Sequence, residues 1–206
     1  MKNRKFFTKD LKIRLANLND IDRIHEILLK NIVNIKNVGK ISAKQKILLE
    51  NTGFLRKEVN RSFYRYLIET LDCDIYVALN KKENVIAFAS LYKNQSNIKR
   101  LRDSLNNLNV NDKAREILLN ETKTFSYLDQ ISVLQDLKRK RIGTALIKQI
   151  IHDTNKPIVA FVLKRPLANK ASAFWHEFNG FKLVGTCDGT YKEKNLEWWV
   201  YIYWNN

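Results

Sequence analysis

Long apolar runs are missing from this chain of 206 residues, and none approaches the roughly 20 residues that a helix needs to cross a bilayer. The opening segment, MKNRKFFTKDLKIR, has neither an apolar core nor a small-residue cleavage site, so we expect no signal peptide. Cysteine is scarce as well: Cys73 and Cys187 lie far apart, without the spacing of metal-ligating pairs. We therefore expect a cytoplasmic protein with no disulfide and no metal site.

Two common phosphate-binding loops are absent, and so are the familiar nucleic-acid motifs. A dinucleotide fingerprint needs three spaced glycines, and a nucleoside-triphosphate loop needs Gly-Lys-Ser/Thr; neither occurs here. We find no helix-turn-helix, RNP or zinc-finger pattern. The net charge of +16 would by itself suit a polyanionic partner, an acidic substrate or a membrane surface. Because cations are interleaved with acids outside 138–141, a generally basic surface explains the charge equally well.

The hydrophobic patterns predict one mixed α/β domain over residues 1–206. Amphipathic helices are expected from about Ile21, in two pieces over 41–71, and from Ile142. Residues 93–125 contain no Pro or Gly. Apolar residues at helical spacing, first Leu101, Leu105 and Leu108 and then Ala114, Ile117 and Leu118, predict two helices that form an insertion at about 94–125. This insertion is either a decoration on a sheet edge or a lid or dimer surface. Strands are expected at residues 12–16, 74–80, 85–92, 127–134, 157–163, 181–187 and 196–204.

The most informative stretch is Tyr127–Leu146, which reads as a strand, a basic loop and a helix. In the strand, Asp129, Ile131 and Val133 alternate with Gln130, Ser132 and Leu134. Four consecutive cations then precede a helix that begins at Ile142. Unpaired N–H groups and the positive end of the helix dipole make such a junction an anion site, and Gly143 allows close approach of the backbone to a ligand.

A second informative stretch is NKASAFWHEFNGF, residues 169–181. Ser172 and His176 are four residues apart and so share one helix face, while Phe174 and Trp175 are expected to pack inward. Gly180 suits a left-handed helix cap. A histidine with a near-neutral pKa can hold or deliver a proton, whereas the alternative is a partly buried histidine bonded to a backbone group.

Both stretches resemble signatures of the GNAT N-acetyltransferase superfamily. The acyl-CoA loop pattern Arg/Gln-x-x-Gly-x-Gly/Ala falls on 138–143, with Lys138 in place of the first residue and Arg141 in place of the first glycine. Arg141 either crowds a pyrophosphate or adds a charge to it. The second signature has a histidine, His176, that is typical of the phosphinothricin acetyltransferase branch. It matches in register at Asn169, Ser172, Trp175, His176, Gly180 and Phe181.

The resemblance implies a mixed central sheet of about six to seven strands flanked by helices. It also implies transfer of an acetyl or short acyl group from acetyl-CoA, as co-substrate, to a primary amine of a small molecule or peptide. His176 would act as hydrogen-bond donor or general acid near the sulfur, and Asp129 is the candidate base. Asn169 would contact the pantetheine arm. The remaining residues expected to hold the acyl-CoA are Ile131, Ser132, Val133, Lys138, Arg139, Lys140, Arg141, Ile142, Gly143, Thr144 and Ser172.

Two alternatives remain open at this point. One is a module that keeps the fold and binds acyl-CoA without catalysis, and the other is a basic protein that binds nucleic acid, for which the net charge is the sole support. We do not expect nucleic acid or a membrane as partner, and we expect a monomer or a homodimer.

Overall fold

The computed structural model describes residues 11–70, 73–94, 105, 107–120, 122–191 and 194–205. Within these residues the chain forms two compact units. The first contains the described parts of 11–32, 57–92 and 128–155, and the second those of 33–56, 93–127 and 156–205. One strand, β5, begins in the second unit and continues into the first.

The described residues carry eight strands and six α-helices, so the predicted mixed α/β fold is confirmed with one strand more than expected. The strands are β1 Lys12–Leu15, β2 Cys73–Leu79, β3 Val85–Tyr92, β4 Leu108–Val110, β5 Ser126–Val133, β6 Ile158–Arg165, β7 Lys182–Tyr191 and β8 Lys194–Tyr203. The helices are α1 Ile21–Asn31, α2 Ala43–Thr52, α3 Arg61–Thr70, α4 Asp112–Leu119, α5 Ile142–Asp153 and α6 Lys170–Phe178. A single domain over 1–206 stays a prediction.

In the first unit, β1, β2 and β3 are successive antiparallel neighbours, and β5 lies beside β3. Every residue of β3 is buried, which explains its unbroken apolar sequence VIAFASLY. Helices α1 and α5 both contact β3, and α3 packs on α1 and β2. Helix α1 contributes one apolar stripe to this core, formed by Ile21, Ile24, Ile27 and Leu28.

In the second unit, β6, β8, β7 and β4 follow one another as antiparallel neighbours. The first two residues of β5, Ser126 and Tyr127, pair in parallel with Ile158 and Val159 of β6. Helix α6 contacts α2, β6 and β7. The aromatic alternation of β8 supplies buried Trp198 and Tyr201 to this unit.

The insertion differs from its prediction at Leu108. Leu108 begins β4, in which Leu108–Val110 pairs with Cys187–Gly185 of β7, and the helix predicted through this residue is therefore wrong there. The predicted second helix is present as α4, capped by the Asn111 side chain, which accepts from the Ala114 N–H at 2.9 Å. Leu101 lies outside the described residues.

Candidate functional site

The predicted site residues fall into two groups, one in each unit. The first group starts on β5, where the expected alternation is confirmed: Gln130 and Ser132 are buried, whereas Asp129, Ile131 and Val133 are half-buried. Three residues spaced by two therefore share the more open face of the strand.

The basic loop turns into α5 through two residues in the left-handed region. A 3-10 turn spans Gln135–Leu137, and Arg139 and Arg141 then both adopt a φ of 62°. Arg141 is the residue immediately before α5, and its carbonyl accepts the N–H of Ala145 at 3.0 Å. The N–H groups of the first three helical residues, 142–144, thus precede this first bond of the helix and point out of its N-terminus.

The loop is fixed to its own unit at its start. The Leu134 N–H donates to the Ile86 carbonyl at 3.0 Å, and Gln135 Nε2 donates to the Lys30 carbonyl at 2.6 Å. Buried Asn31 donates from Nδ2 to the Val133 carbonyl at 3.2 Å. These contacts tie the end of β5 to β3 and α1, so that the loop leaves the sheet in a defined direction.

The charges of the loop suit an anion. Arg139, Lys140 and Arg141 are exposed, whereas Lys138 is half-buried, and that burial lowers the pKa of its ammonium group. Three features that attract anions lie together here: the backbone N–H groups at the start of a twelve-residue helix, the positive end of the helix dipole and this run of cations. Residues 138–144 therefore have the physical properties of a phosphate-binding loop.

Asp129 is engaged in an ion pair that the sequence did not reveal. Its Oδ2 lies 2.6 Å from Nζ of Lys57, with the two side chains 8% and 20% exposed. A neighbouring chain of hydrogen bonds reaches the Lys57 backbone: Tyr64 donates to Gln130 Oε1 at 2.9 Å, and Gln130 Nε2 donates to the Lys57 carbonyl at 3.4 Å. Burial and the charge of Asp129 raise the pKa of Tyr64, which keeps this phenol a neutral donor.

The second group lies around α6, in the other unit. Asn169 is the N-cap of α6: its Oδ1 accepts the Ser172 N–H at 3.3 Å, and its Nδ2 donates to the Phe54 carbonyl at 2.8 Å. The backbone N–H of Asn169 donates to Leu163 at 2.8 Å. Asn169 therefore connects the start of α6 to β6 and to the loop after α2.

His176 is buried deep in this second unit. Its Nδ1 lies 2.7 Å from the Ser172 carbonyl and 3.4 Å from Ser172 Oγ, which confirms that the two residues share a face. The ring stacks on Tyr201, with centroids 5.5 Å apart, and meets the edge of Phe181. Burial lowers the pKa of His176 from 6.5 to about 4.

This environment determines what His176 can do. Since Nδ1 faces a carbonyl oxygen, it carries the proton in the neutral ring, and Nε2 then holds a lone pair. Nε2 is buried and has no hydrogen-bond partner in the described part of the chain. At neutral pH the ring therefore carries no proton at Nε2.

The helix end behaves as predicted, but one aromatic residue does not. Gly180 adopts a φ of 89°, and the Phe181 N–H donates to the His176 carbonyl at 3.0 Å, as in a left-handed cap. Phe174 does not pack inward, because its side chain is 70% exposed and stacks on exposed Phe178 one turn later. His176 fills the inward position instead.

Neither a metal centre nor a membrane span is found in the described ranges. No group of three His, Cys, Asp or Glu side chains there could hold a metal ion. None of the described helices is long and apolar enough to cross a membrane.

Comparison with known proteins supports the family resemblance found in the sequence. The model of the acetyltransferase (GNAT) family matches residues 45–181. No curated protein matches the chain. Among solved structures, Arabidopsis thaliana NAA60 with a bisubstrate analogue is 14% identical, with a TM-score of 0.59 and coverage of 94% of this chain and 97% of that one.

Two bacterial structures are similar to the same extent. The phosphinothricin acetyltransferase from Sinorhizobium meliloti, solved with AcCoA, is 15% identical, with a TM-score of 0.55 and coverage of 94% of this chain and 88% of that one. The histone acetyltransferase HPA2 and related acetyltransferase from Corynebacterium glutamicum is 14% identical, with a TM-score of 0.55 and coverage of 93% and 95%. At such identities these structures establish the fold. The family match over two thirds of its length shows that this chain belongs to the acetyltransferase (GNAT) family.

Proposed function

We propose that the protein transfers an acetyl group from acetyl-CoA to a primary amine of a small molecule or peptide, and that residues 138–144 hold the pyrophosphate of the acetyl-CoA. The observation that carries this assignment is the left-handed, cation-rich loop that ends in the N-terminus of α5. Phosphate oxygens suit such a loop because N–H donors and positive charge lie together there. The solved structures with AcCoA or a bisubstrate analogue support the same donor.

The open face of β5 supplies the second part of the proposal. Backbone groups of Ile131 and Val133 pair with the pantetheine arm, in the way that an extended segment adds to a strand, and polarise the thioester carbonyl. Ser132 lies between them on the buried face and contributes its backbone. Asn31, by donating to the Val133 carbonyl, keeps the end of this strand in place.

Asp129 is the proposed base, two residues before Ile131 on the same face of β5. A carboxylate there can take a proton from the acceptor ammonium group before the nitrogen attacks the thioester carbonyl carbon. Asn169 and Ser172 remain the proposed contacts from the second signature. For His176 we propose support of α6 in place of acid catalysis, because its proton lies on the nitrogen that faces a backbone carbonyl.

We also propose a reducing, cytoplasmic location. The two cysteines are both buried thiols outside any disulfide, Cys73 in β2 and Cys187 in β7, and burial raises the pKa of the Cys187 thiol to about 11. A protonated thiol is a poor nucleophile, so neither cysteine is poised for exchange or catalysis.

The test is an assay of CoA release with a panel of primary amines, in which mass spectrometry identifies the acetylated product. We expect acetyl-CoA-dependent acetylation of at least one amine, reduced by the Asp129→Asn substitution at unchanged acetyl-CoA affinity. Binding of acetyl-CoA without transfer to any amine would favour the non-catalytic module. Binding of random oligonucleotides with a steep salt dependence, and no binding of acetyl-CoA, would favour the nucleic-acid alternative.

A further inference from the structure

The strongest unassigned feature is the set of groups around the Lys57 ammonium in the first unit. Besides Asp129 at 2.6 Å, the ammonium lies 4.8 Å from the ring centre of Phe63 and 5.9 Å from that of Tyr92. A carboxylate combined with two aromatic faces is the combination by which proteins recognise alkylammonium groups. The cluster of Asp129, Phe63 and Tyr92 is therefore a cation site, and Lys57 occupies it.

This cation site is built rigidly from three separate elements. Asp129 belongs to β5, Phe63 to α3 and Tyr92 to the end of β3. The Phe63 ring meets the edge of Tyr64, with centroids 6.1 Å apart, and Tyr64 in turn meets Phe88 at 5.8 Å. Lys57, by contrast, lies in the segment between α2 and α3, outside any helix or strand. The wall of the site is thus fixed by regular structure, and its occupant comes from a loop.

Stability alone is a weak reason for such a pair. A largely buried ion pair loses most of its Coulomb energy to desolvation, and apolar residues of the same volume stabilise a fold about as well. The proposed reaction explains this arrangement more directly. The carboxylate and the two rings hold a positive charge beside the face of β5 on which the acetyl donor is proposed to lie. The primary amine that the proposed reaction requires is itself an ammonium group at neutral pH.

We propose that Asp129, Phe63 and Tyr92 bind the alkylammonium group of the acceptor, and that Lys57 is an internal competitor for this site in the free protein. The inference rests on the proposed function and narrows its acceptor to unbranched alkylamines that resemble a lysine side chain. Displacement of Lys57 places the acceptor nitrogen beside Asp129. One ammonium proton passes through Asp129 to water; the nitrogen then forms the C–N bond, the C–S bond breaks, and the second proton goes to the departing thiolate.

The test uses n-butylammonium, which resembles the end of a lysine side chain, as the probe ligand for the cation site. We expect it to raise the Tm of the Lys57→Ala variant, with an apparent Kd about tenfold below that of the wild type, because the internal competitor is gone. Two comparisons isolate the site: n-butanol, which lacks the charge, and the double variant Lys57→Ala with Asp129→Asn. Lys82→Ala, which removes an exposed lysine from the β2–β3 turn, controls for the loss of one cation.

Equal n-butylammonium affinity in the wild type and in Lys57→Ala, or equal effects of n-butanol and n-butylammonium, would overturn the proposal. If Lys57→Ala does not fold, Lys57→Met retains the apolar stem, and the KM for n-butylamine is measured instead. We expect that KM to fall by about tenfold, and an unchanged KM would contradict the proposal.

Titration of the same proteins with acetyl-CoA separates this inference from the proposed function. Normal acetyl-CoA binding without selectivity for n-butylammonium would overturn the acceptor site alone. If the wild type does not bind acetyl-CoA, the proposed function is overturned. The Tm measurements with n-butylammonium would then still decide whether the cation site exists.

Discussion

Arg141 stands where the acyl-CoA loop usually has glycine, and the substitution Arg141→Gly separates its charge from its backbone conformation. Arg141 adopts a φ of 62° and a ψ of 13°, a region that costs a residue with a Cβ about 1–2 kcal/mol. Glycine removes that cost but loses about 0.4–1 kcal/mol to the greater freedom of the unfolded chain. We therefore expect the free energy of unfolding in urea to rise by about 1 kcal/mol or less.

The charge effect is expected in acetyl-CoA binding. The Arg141 side chain is exposed. In the proposed complex it adds a positive charge near the pyrophosphate. Loss of an exposed charge pair is worth about 0.5–1 kcal/mol, so calorimetry at low salt should show acetyl-CoA affinity about two- to fivefold weaker. At about 0.5 M salt, screening should remove most of this difference.

Matched variants complete the Arg141 experiment. Arg141→Ala loses the same charge but keeps a Cβ in the left-handed conformation. It should therefore bind acetyl-CoA like Arg141→Gly, and its free energy of unfolding should be about 1 kcal/mol lower than that of Arg141→Gly. Lys148→Ala removes an exposed cation further along α5 and should leave acetyl-CoA affinity unchanged. Tighter acetyl-CoA binding by Arg141→Gly than by the wild type would refute this reasoning, because it would mean that the arginine crowds the pyrophosphate.

Two further predictions concern the second unit. Because burial lowers the pKa of His176 from 6.5 to about 4, its contribution to stability is complete above pH 6.5 and is lost as the pH falls towards 4. The free energy of unfolding should drop by about 2 kcal/mol between pH 7 and pH 5. His176→Gln should flatten this pH dependence, whereas His152→Gln, at an exposed position, should not. The same pH dependence in His176→Gln and in the wild type would contradict the buried environment of His176. Asn169→Ala should cost about 2 kcal/mol in urea unfolding, since it removes a helix cap and the donor to Phe54. Asn169→Ser also loses the donor to Phe54 but retains the cap, so it should cost less; equal costs would mean that the cap contributes nothing.

Local patterns were sufficient to predict most of the fold. The alternation along β5, the cap at Gly180 and the shared face of Ser172 and His176 depend on neighbours within a few residues, and all three are confirmed. The strand β4 was missed because it has three residues and exists through its pairing with β7. Leu108 carries no local sign of that partner.

The environment of the site residues depends on distant parts of the chain. Lys57 and Asp129 are 72 positions apart, and no spacing rule connects them. His176 is enclosed by Phe181 and by Tyr201, the latter supplied by the last strand, so its burial could not be read from the helix alone. The sequence indicated the chemistry of each residue; long-range packing determines its charge state and its partners.

Isothermal titration of the protein with acetyl-CoA, with dephospho-CoA as comparison, tests the central claim most directly. The account predicts micromolar binding of acetyl-CoA, weaker binding of dephospho-CoA, and loss of affinity when Arg139, Lys140 and Arg141 are replaced together by alanine. Absence of acetyl-CoA binding by the folded wild-type protein would contradict the assignment of residues 138–144 as the phosphate-binding loop.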